Sequence, residues 1–379
     1  MEYRQLGKTE LKVSTIGLGC EYFDVAKVPF SETEKTINYA LDNGINIFDV
    51  FMPGREIRED IKNALGNRRS EAIIQGHIGS TDVNLQYDIS RDMPTVKKYF
   101  EDMLRIFGRI EIGMLFFIDS EDDYKSVFET EFITYAQKLK QQGDIGHIGF
   151  SSHNPITAIK VVETGVVETM LFSINPAFDL MPEDENIFNH LQNGFNRERF
   201  LGIDPTRAAL YNLCEQKGIG ITVMKPLGSG KLISPEHTPF EKPLTIGQCL
   251  QYALDRPGVA SILPGCKSVE ELQGVLNYFT LSEEEKDYSQ ILMNKNFKGA
   301  CVYCNHCQPC PMTIDIAAVN KYLDIAKLDP KNIPPSVISH YQNLKYRGEH
   351  CIECGHCEHN CPFDVPVISN MQEADHLLA

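Results

Sequence analysis

The stretch from residue 93 to residue 119, MPTVKKYFEDMLRIFGRIEIGMLFFID, carries the pattern on which the fold depends. Its first part has apolar residues at helical spacing and ends at a glycine, and its second part, IGMLFFID, is an apolar run that ends at an aspartate. An apolar run in which polar and apolar residues do not alternate is typical of a parallel strand that is buried on both faces. The stretch therefore predicts a helix followed by a buried strand.

The same kind of apolar run recurs along the chain, and segments with helical spacing, such as SETEKTINYALDNG, separate the copies. The other seven runs are TIGLGC (15–20), INIFDV (45–50), AIIQGHIG (72–79), HIGFSSHN (147–154), TMLFSINP (169–176), GITVMKPLG (220–228) and SILPGCKS (261–268). Eight strands that alternate with helices predict an α/β fold of the (β/α)8 TIM-barrel type. A doubly wound open sheet is the alternative. The opening YRQLGKTELKVS predicts a hairpin that plugs the bottom of the barrel.

The chain of 379 residues is too long for one ordinary domain. The barrel pattern ends after LSEEEK, so we place the barrel at residues 1–295 and a small α-helical, ferredoxin-like iron-sulfur domain at residues 296–379. Two long connections, at 80–92 and 182–206, are expected to shape the mouth of the barrel, because long loops after barrel strands usually do so.

Composition excludes several classes of function. Hydrophobic residues make up 42% of the chain and charged residues 23%, which is the balance of a globular protein. A net charge of -16 disfavours both nucleic acid and anionic membranes as partners. The N-terminus has no apolar signal core, and no run reaches the ~18 apolar residues of a membrane span. We therefore expect a cytoplasmic protein.

Eight of the twelve cysteines fall in two runs, CVYCNHCQPCP (301–311) and CIECGHCEHNCP (351–362). In a reducing compartment such clustering favours metal binding over disulfides. A zinc site needs two CxxC pairs and has no use for a third cysteine, whereas a CxxCxxC segment binds one 4Fe-4S cluster and the cysteine before the proline binds its neighbour. This rule predicts two clusters, one held by Cys301, Cys304, Cys307 and Cys361, and the other by Cys351, Cys354, Cys357 and Cys310.

One spacing departs from the usual motif, because two residues instead of three separate Cys307 from Cys310. Two zinc sites or a disulfide framework are the alternatives. The helical spacer between the two runs resembles that of α-helical dicluster ferredoxins.

Three stretches resemble the aldo-keto reductase family: GINIFDV (44–50), GITVMKPLGSGKL (220–232) and SILPGCKSVEEL (261–272). MKPLGSGKL together with the cysteine tail is similar to the subgroup with a fused dicluster ferredoxin domain. The resemblance implies an eight-stranded barrel that binds NADPH at the carboxyl ends of its strands and moves a hydride to or from a carbonyl carbon.

The family performs its chemistry with an Asp, a Tyr, a Lys and a His, and here only the first is clearly retained, as Asp49. The place of the Tyr falls within residues 52–54, that of the Lys is taken by His77, and that of the His by Phe116. The tetrad is therefore degenerate. His77, charged or oriented by Asp49, is the predicted replacement acid or base, because imidazole titrates near neutral pH. His153, at the end of the fifth strand, is the other candidate catalytic residue, and Asp119 is a candidate to enter the same pocket.

The resemblance also implies positions for the cofactor. Those that match the contacts to the nicotinamide carboxamide are Ser151, Ser152 and Asn175. Those in the loops after the seventh and eighth strands, which match phosphate contacts, are Lys225, Leu227, Gly228, Lys231, Gly265, Lys267 and Ser268. NADP(H) is the implied cofactor, and a flavin or no diffusible nucleotide remains open.

These features predict an iron-sulfur oxidoreductase that acts on a small substrate in the barrel mouth and exchanges single electrons with a ferredoxin- or flavodoxin-like carrier. In a second interpretation no nicotinamide takes part, and single electrons drive a reductive elimination or dehydroxylation. A third is a non-catalytic electron carrier or redox sensor.

Overall fold

The structure is a computed structural model. It describes residues 1–82, 88–179, 204–238, 240–288, 299, 301, 303, 307–328, 330–331, 333, 335–361 and 363–379. The predicted long connection at 182–206 lies mostly outside these described residues, as do part of the 80–92 connection and Cys304.

The chain divides into two compact units. The first comprises Met1–Ile174, Thr206–Pro226 and Ile246–Asp287. The second comprises the described residues of Asn175–Pro205, Leu227–Thr245 and Tyr288–Ala379. The sequence-based boundary was near residue 295, whereas this division falls between Asp287 and Tyr288 and assigns two internal segments to the second unit.

Eight parallel strands form the sheet of the first unit, in the order β3-β4-β5-β8-β9-β10-β11-β12. Parallel bridges between Ile16 and Ile262 and between Gly19 and Gly265 join the first of these strands to the last. The strands are β3 (Leu18–Gly19), β4 (Ile47–Val50), β5 (Ile73–Ile78), β8 (Ile110–Leu115), β9 (Ile145–Ser152), β10 (Thr169–Ser173), β11 (Gly220–Met224) and β12 (Val259–Ile262). The predicted (β/α)8 barrel is confirmed, and the open doubly wound sheet is wrong.

The helices of the barrel unit alternate with these strands. They are α1 (Glu21–Val25), α2 (Phe30–Asp42), α3 (Arg55–Leu65), α4 (Met93–Phe107), α5 (Glu121–Phe128), α6 (Glu131–Gln142), α7 (Pro155–Glu163), α9 (Pro205–Lys217), α10 (Ile246–Leu254), α11 (Val269–Leu276) and α12 (Glu283–Lys286). Short 3-10 helices occur at Gly66–Glu71 and Asn277–Thr280. A two-stranded ribbon, β6 (Ser80–Thr81) with β7 (Asp88–Ile89), follows β5.

Helix α4 and strand β8 illustrate how local sequence sets these boundaries. The side chain of Asp92 accepts a hydrogen bond from the backbone N–H of Thr95, so it caps the first turn of α4. Gly108 ends the helix with a φ of 74°, a left-handed conformation that favours glycine. The apolar side chains of α4 that recur at helical spacing, Met93, Val96, Phe100, Met103 and Phe107, are all buried.

The N-terminal hairpin pairs β1 (Tyr3–Gln5) with β2 (Lys12–Ser14), as predicted. Its side chains Leu6 and Val13 are fully buried in one cluster with residues of the barrel strands, among them Ile47 and Met114. Gly7 lies at a φ of 56°, and a Cβ there would come within 2.3 Å of the carbonyl oxygen of Gly218. The hairpin therefore fills the end of the barrel that faces away from the carboxyl ends of the strands.

Helices also make up the regular structure described in the second unit. They are α8 (Pro176–Asp179), α13 (Ile316–Leu328), α14 (Pro335–Gln342), α15 (His356–His359) and α16 (Val367–Leu378), with 3-10 helices at Lys231–Ile233 and Gly348–His350. Val319 and Leu323 on α13 and Met371 and Ala374 on α16 are buried. In the described part of the chain, no helix has the length and apolar character needed to cross a membrane.

Candidate functional site

Asp49, Gln75 and His77 form a buried polar group inside the barrel. The side-chain N–H of Gln75 donates to Asp49 Oδ1 at 2.7 Å, and His77 Nε2 lies 2.8 Å from the same oxygen. Thr222 Oγ1 donates to Gln75 Oε1 at 3.1 Å. Gln75 and His77 are two residues apart on β5, so both point to one face of the sheet. An ionised carboxylate only accepts hydrogen bonds, which assigns the imidazole hydrogen to Nε2.

Aromatic rings enclose His77, whose side chain is only 1% exposed. Its ring centroid lies 5.2 Å from that of Phe116 and 5.9 Å from that of Phe51, edge to face in both cases. Among the described residues, His77 Nδ1 has no hydrogen-bond partner. A buried polar atom without a partner costs free energy, and a donor group of a ligand would remove that cost.

Asp119, Ser152, His153 and Lys225 form a second polar group in the barrel unit. Asp119 Oδ1 accepts from Ser152 Oγ at 2.9 Å and from the backbone N–H of His153 at 2.6 Å, and Asp119 Oδ2 lies 2.9 Å from His153 Nδ1. Lys225 Nζ lies 2.9 Å from His153 Nε2. Carboxylate, imidazole and ammonium thus follow one another in a chain along which a proton can be held or moved.

The ionisation of Asp119 is favoured by its partners. Burial alone would raise the pKa of Asp119, but the charge and hydrogen bonds of His153 and the hydrogen bond from Ser152 outweigh burial and lower that pKa. Asp119 is therefore a carboxylate at neutral pH, and it orients the imidazole of His153 as a hydrogen-bond acceptor.

Unusual backbone conformations place these groups. Phe117 follows β8 with a φ of 56°, and Lys225 follows β11 with a φ of 57°, values that cost free energy in residues other than glycine. The turn at Phe117 is held by Ser151 Oγ, which accepts from the Phe117 N–H at 2.8 Å, and by Arg91, which donates to the carbonyls of Phe116 and Phe117 at 2.9 and 2.8 Å. The outcome is a fixed position for Asp119.

The residues predicted to bind the nicotinamide already have partners within the chain. Ser151 and Ser152 bond to Phe117 and Asp119, as above. The side-chain oxygen of Asn175, in the second unit, accepts from the N–H of Phe178 at 3.0 Å. Sequence could not anticipate these bonds, because they depend on the course of the loops that follow β8 and β10.

The predicted phosphate-contact residues are distributed over both units. In the barrel unit, Ser268 caps α11, Lys267 Nζ pairs with Glu271 at 3.3 Å, and a Cβ at Gly265 would lie 2.3 Å from the ring of Tyr22. In the second unit, the carbonyls of Leu227 and Gly228 accept from the N–H groups of Gly230 and Lys231 in a tight turn. Lys231 Nζ donates to the carbonyl of Cys301 at 2.8 Å. These positions stay predictions as cofactor contacts.

A cavity in the second unit is lined by cysteines of both runs. The four are Cys310, Cys351, Cys354 and Cys357, and apolar side chains that include Ile314, Ile316, Val367 and Met371 form much of the remaining wall. These are the four cysteines that the sequence assigns to one cluster, with three ligands from the second run and the fourth from the first run. The fourth cysteine of the first run therefore meets the first three of the second run.

The ligands predicted for the other cluster are described only in part, because Cys304 lies outside the described residues. Burial raises the pKa of Cys301 to about 12. Within the described residues, no three His, Cys, Asp or Glu side chains are grouped so as to hold a single metal ion.

The scattered cysteines Cys20, Cys214, Cys249 and Cys266 are all buried. Burial raises the pKa of Cys249 and that of Cys266 to about 12, and raises those of the other two as well. A buried neutral thiol acts as a small apolar side chain. The burial of these four cysteines therefore favours a packing role.

Sequence reasoning missed Gln75 and Thr222 as members of the barrel site. The signal for Gln75 was present, since it lies two residues before His77 in a strand and must share its face. It also missed the pairing of Lys225 with His153, because these residues lie 72 positions apart and only the barrel brings them together.

Comparison with known proteins supports the assignment of the barrel. A model of the Aldo/keto reductase family matches residues 15–246. The chain is 25% identical over 317 residues to the uncharacterized oxidoreductase YqkF of Bacillus subtilis, covering 75% of this chain and 94% of that protein. It is 25% identical over 301 residues to the L-galactose dehydrogenase of Arabidopsis thaliana, covering 72% and 86%. The structure of an aldo-keto reductase from Bacillus halodurans aligns over 79% of this chain and 97% of that one, with a TM-score of 0.58 and 20% identity.

Proposed function

The chain belongs to the aldo/keto reductase family, and from that premise we propose that it is an iron-sulfur oxidoreductase. In this proposal, the barrel carries out redox chemistry on a small substrate, and two 4Fe-4S clusters in the second unit connect it to a one-electron carrier. When bound, each cluster would take up or release one electron at a time.

The observation that carries the proposal is the meeting of the two cysteine runs. Cys310 lines one cavity with Cys351, Cys354 and Cys357, although it lies 41 residues before the first of them. Such an exchange of the fourth ligand is what two neighbouring 4Fe-4S clusters require, and two independent CxxC zinc sites do not require it. Apolar walls around the cavity suit a cluster, because burial and limited hydrogen bonding set its potential.

Several positions that the family resemblance implies for the cofactor have partners within the chain, and this favours a reaction without nicotinamide. Ser151 and Ser152 are engaged by Phe117 and Asp119, and the ammonium of Lys225 contacts His153. The Tyr that would protonate an alkoxide is absent, since its place falls within residues 52–54. The reaction is therefore proposed without a step through nicotinamide.

Two groups in the barrel can supply protons when electrons reach the substrate. Asp49 holds the Nε2–H of His77, which leaves Nδ1 to bind a donor of the substrate or to take up a proton. Lys225 donates to Nε2 of His153 while Asp119 accepts from the opposite ring nitrogen, so the imidazole holds the Lys225 ammonium in place and that ammonium is the proton donor of this pair. Phe51 and Phe116 exclude water from His77.

This arrangement favours a specific form of the proposed reaction, a reductive elimination or dehydroxylation fed by a ferredoxin- or flavodoxin-like carrier. Replacing a hydroxyl by hydrogen consumes two electrons and two protons and releases water. Single electrons arriving in turn meet this need without hydride, and the imidazole of His77 and the ammonium of Lys225 meet the proton demand. The observation that favours this form is the internal engagement of Ser151, Ser152 and Lys225.

An anaerobic titration tests the proposal. We expect that reduced methyl viologen, a one-electron donor, bleaches the visible absorbance of the protein. NADPH added in its place should leave the absorbance unchanged, because the proposed reaction has no step through nicotinamide. Reoxidation is measured while candidate hydroxylated and carbonyl substrates are added. Bleaching by NADPH would contradict the reaction without nicotinamide and indicate a nicotinamide-linked one. If neither donor bleached the protein, the proposed electron transfer itself would be contradicted.

A further inference from the structure

Within the second unit, the side chain of Lys231 binds directly to the first cysteine run. Its Nζ donates to the carbonyl oxygen of Cys301 at 2.8 Å and forms an ion pair with Asp324 on α13. The side chain of Lys231 is 17% exposed, so water screens its charge only in part.

Tyr303 holds this ion pair in place. Nζ of Lys231 lies 4.2 Å from the centroid of the Tyr303 ring, a cation–π contact, and the Tyr303 hydroxyl donates to Asp324 Oδ2 at 2.6 Å. Tyr303 has a φ of 59° and lies two residues after Cys301, so the turn that follows this cysteine also forms part of the contact. The ammonium is therefore fixed beside Cys301 by three groups of the same unit.

The charges of this group act unequally on Cys301. The ammonium is hydrogen-bonded to the peptide group of Cys301, whereas Asp324 is linked to it through that ammonium and through Tyr303. The nearer charge has the larger effect at a given dielectric constant. The charge of the cation should therefore outweigh that of the carboxylate at Cys301.

We propose that Lys231 raises the reduction potential of the 4Fe-4S cluster that Cys301 helps to hold. Reduction adds one electron to the cluster and so makes it more negative, and a fixed cation nearby stabilises that reduced form. No bond forms or breaks. The inference rests on the proposed function, and it assigns Lys231 a role in positioning charge for electron transfer instead of binding a cofactor phosphate.

The test is a redox titration of anaerobically purified full-length protein, followed by electron paramagnetic resonance. Lys231→Gln keeps a hydrogen-bond donor and removes the charge. We expect it to lower the equilibrium constant for reduction of one cluster about tenfold, which is about 59 mV for a one-electron couple. The other cluster should be unchanged and serves as an internal reference. Lys231→Arg should keep the original potential. Lys327→Gln, which breaks the ion pair between Lys327 on α13 and Glu373 on α16, is the matched control.

Asp324→Asn gives an independent reading should Lys231→Gln assemble poorly. It leaves the ammonium in place without its negative partner, so the potential of the same cluster should rise. The inference would be overturned if Lys231→Gln or Asp324→Asn bound as much iron as the original protein and its cluster potentials were unchanged. Absence of iron from the original protein would instead contradict the proposed function, so the two failures are distinguishable.

Discussion

Replacing Cys357 by Ser is expected to lower the iron content from about eight atoms to about four per chain, because each 4Fe-4S cluster requires four thiolate ligands. Cys357 is buried in the wall of the cavity that it shares with Cys310, Cys351 and Cys354. A serine hydroxyl is a poor ligand for iron in such an apolar site. Iron and acid-labile sulfide are measured on anaerobically purified protein.

The predicted exchange of the fourth ligand between the two cysteine runs makes this experiment more specific. Cys310→Ser lies in the other run, yet it should remove the same cluster as Cys357→Ser and leave the same residual resonance signal. Cys361→Ser should remove the other cluster and leave the complementary signal. Cys249→Ala, a change at a buried cysteine outside both runs, is the control that should retain all of the iron. If Cys361→Ser, and not Cys310→Ser, left the same signal as Cys357→Ser, the crossed ligand assignment would be wrong.

Replacing His77 by Gln is expected to lower turnover by about 10²- to 10⁴-fold, the range that removal of a general acid or base usually costs. Glutamine keeps a polar side chain that can bond to Asp49, but it cannot take up a proton near neutral pH. The cluster spectrum should not change, since His77 lies within the barrel and not in a cysteine run. Turnover is measured with a substrate found by screening against the reduced protein.

His147 supplies the matched control for that change. It also lies on a barrel strand and pairs with a carboxylate, its Nδ1 being 2.9 Å from Glu168 Oε1, but it is near the start of β9. His147→Gln should therefore retain most of the turnover. Full activity in the His77 variant, or equal losses in both variants, would show that His77 has only a structural role.

The barrel was predictable because its signal is local. Apolar runs, in which polar and apolar residues do not alternate, marked all eight strands, and segments with helical spacing marked the helices between them. The precise ends were less predictable: the run IGMLFFID was expected to form a strand from residue 112, whereas β8 begins at Ile110 and ends at Leu115. The chain leaves the sheet there because Phe117 turns to a φ of 56° and Ser151 and Arg91 hold that turn.

The candidate site was predictable only where the strand period decides which side chains share a face. Asp49 and His77 lie together because β4 and β5 are neighbours in the sheet. The link from Lys225 to His153 and that from Lys231 to Cys301 span 72 and 70 residues, and no sequence pattern indicates them. Lys231 illustrates the limit: its motif suggested a phosphate contact, and its neighbours in the folded second unit are a peptide carbonyl, a carboxylate and a tyrosine ring.

Iron, zinc and acid-labile sulfide counted per chain in protein purified without oxygen test the central claim most directly, together with the resonance spectrum after reduction by dithionite. The account predicts brown protein with about eight iron atoms and about eight sulfides per chain, and resonance signals from two reduced clusters that interact. Colourless protein that carries zinc without sulfide, or that carries no metal, would contradict it.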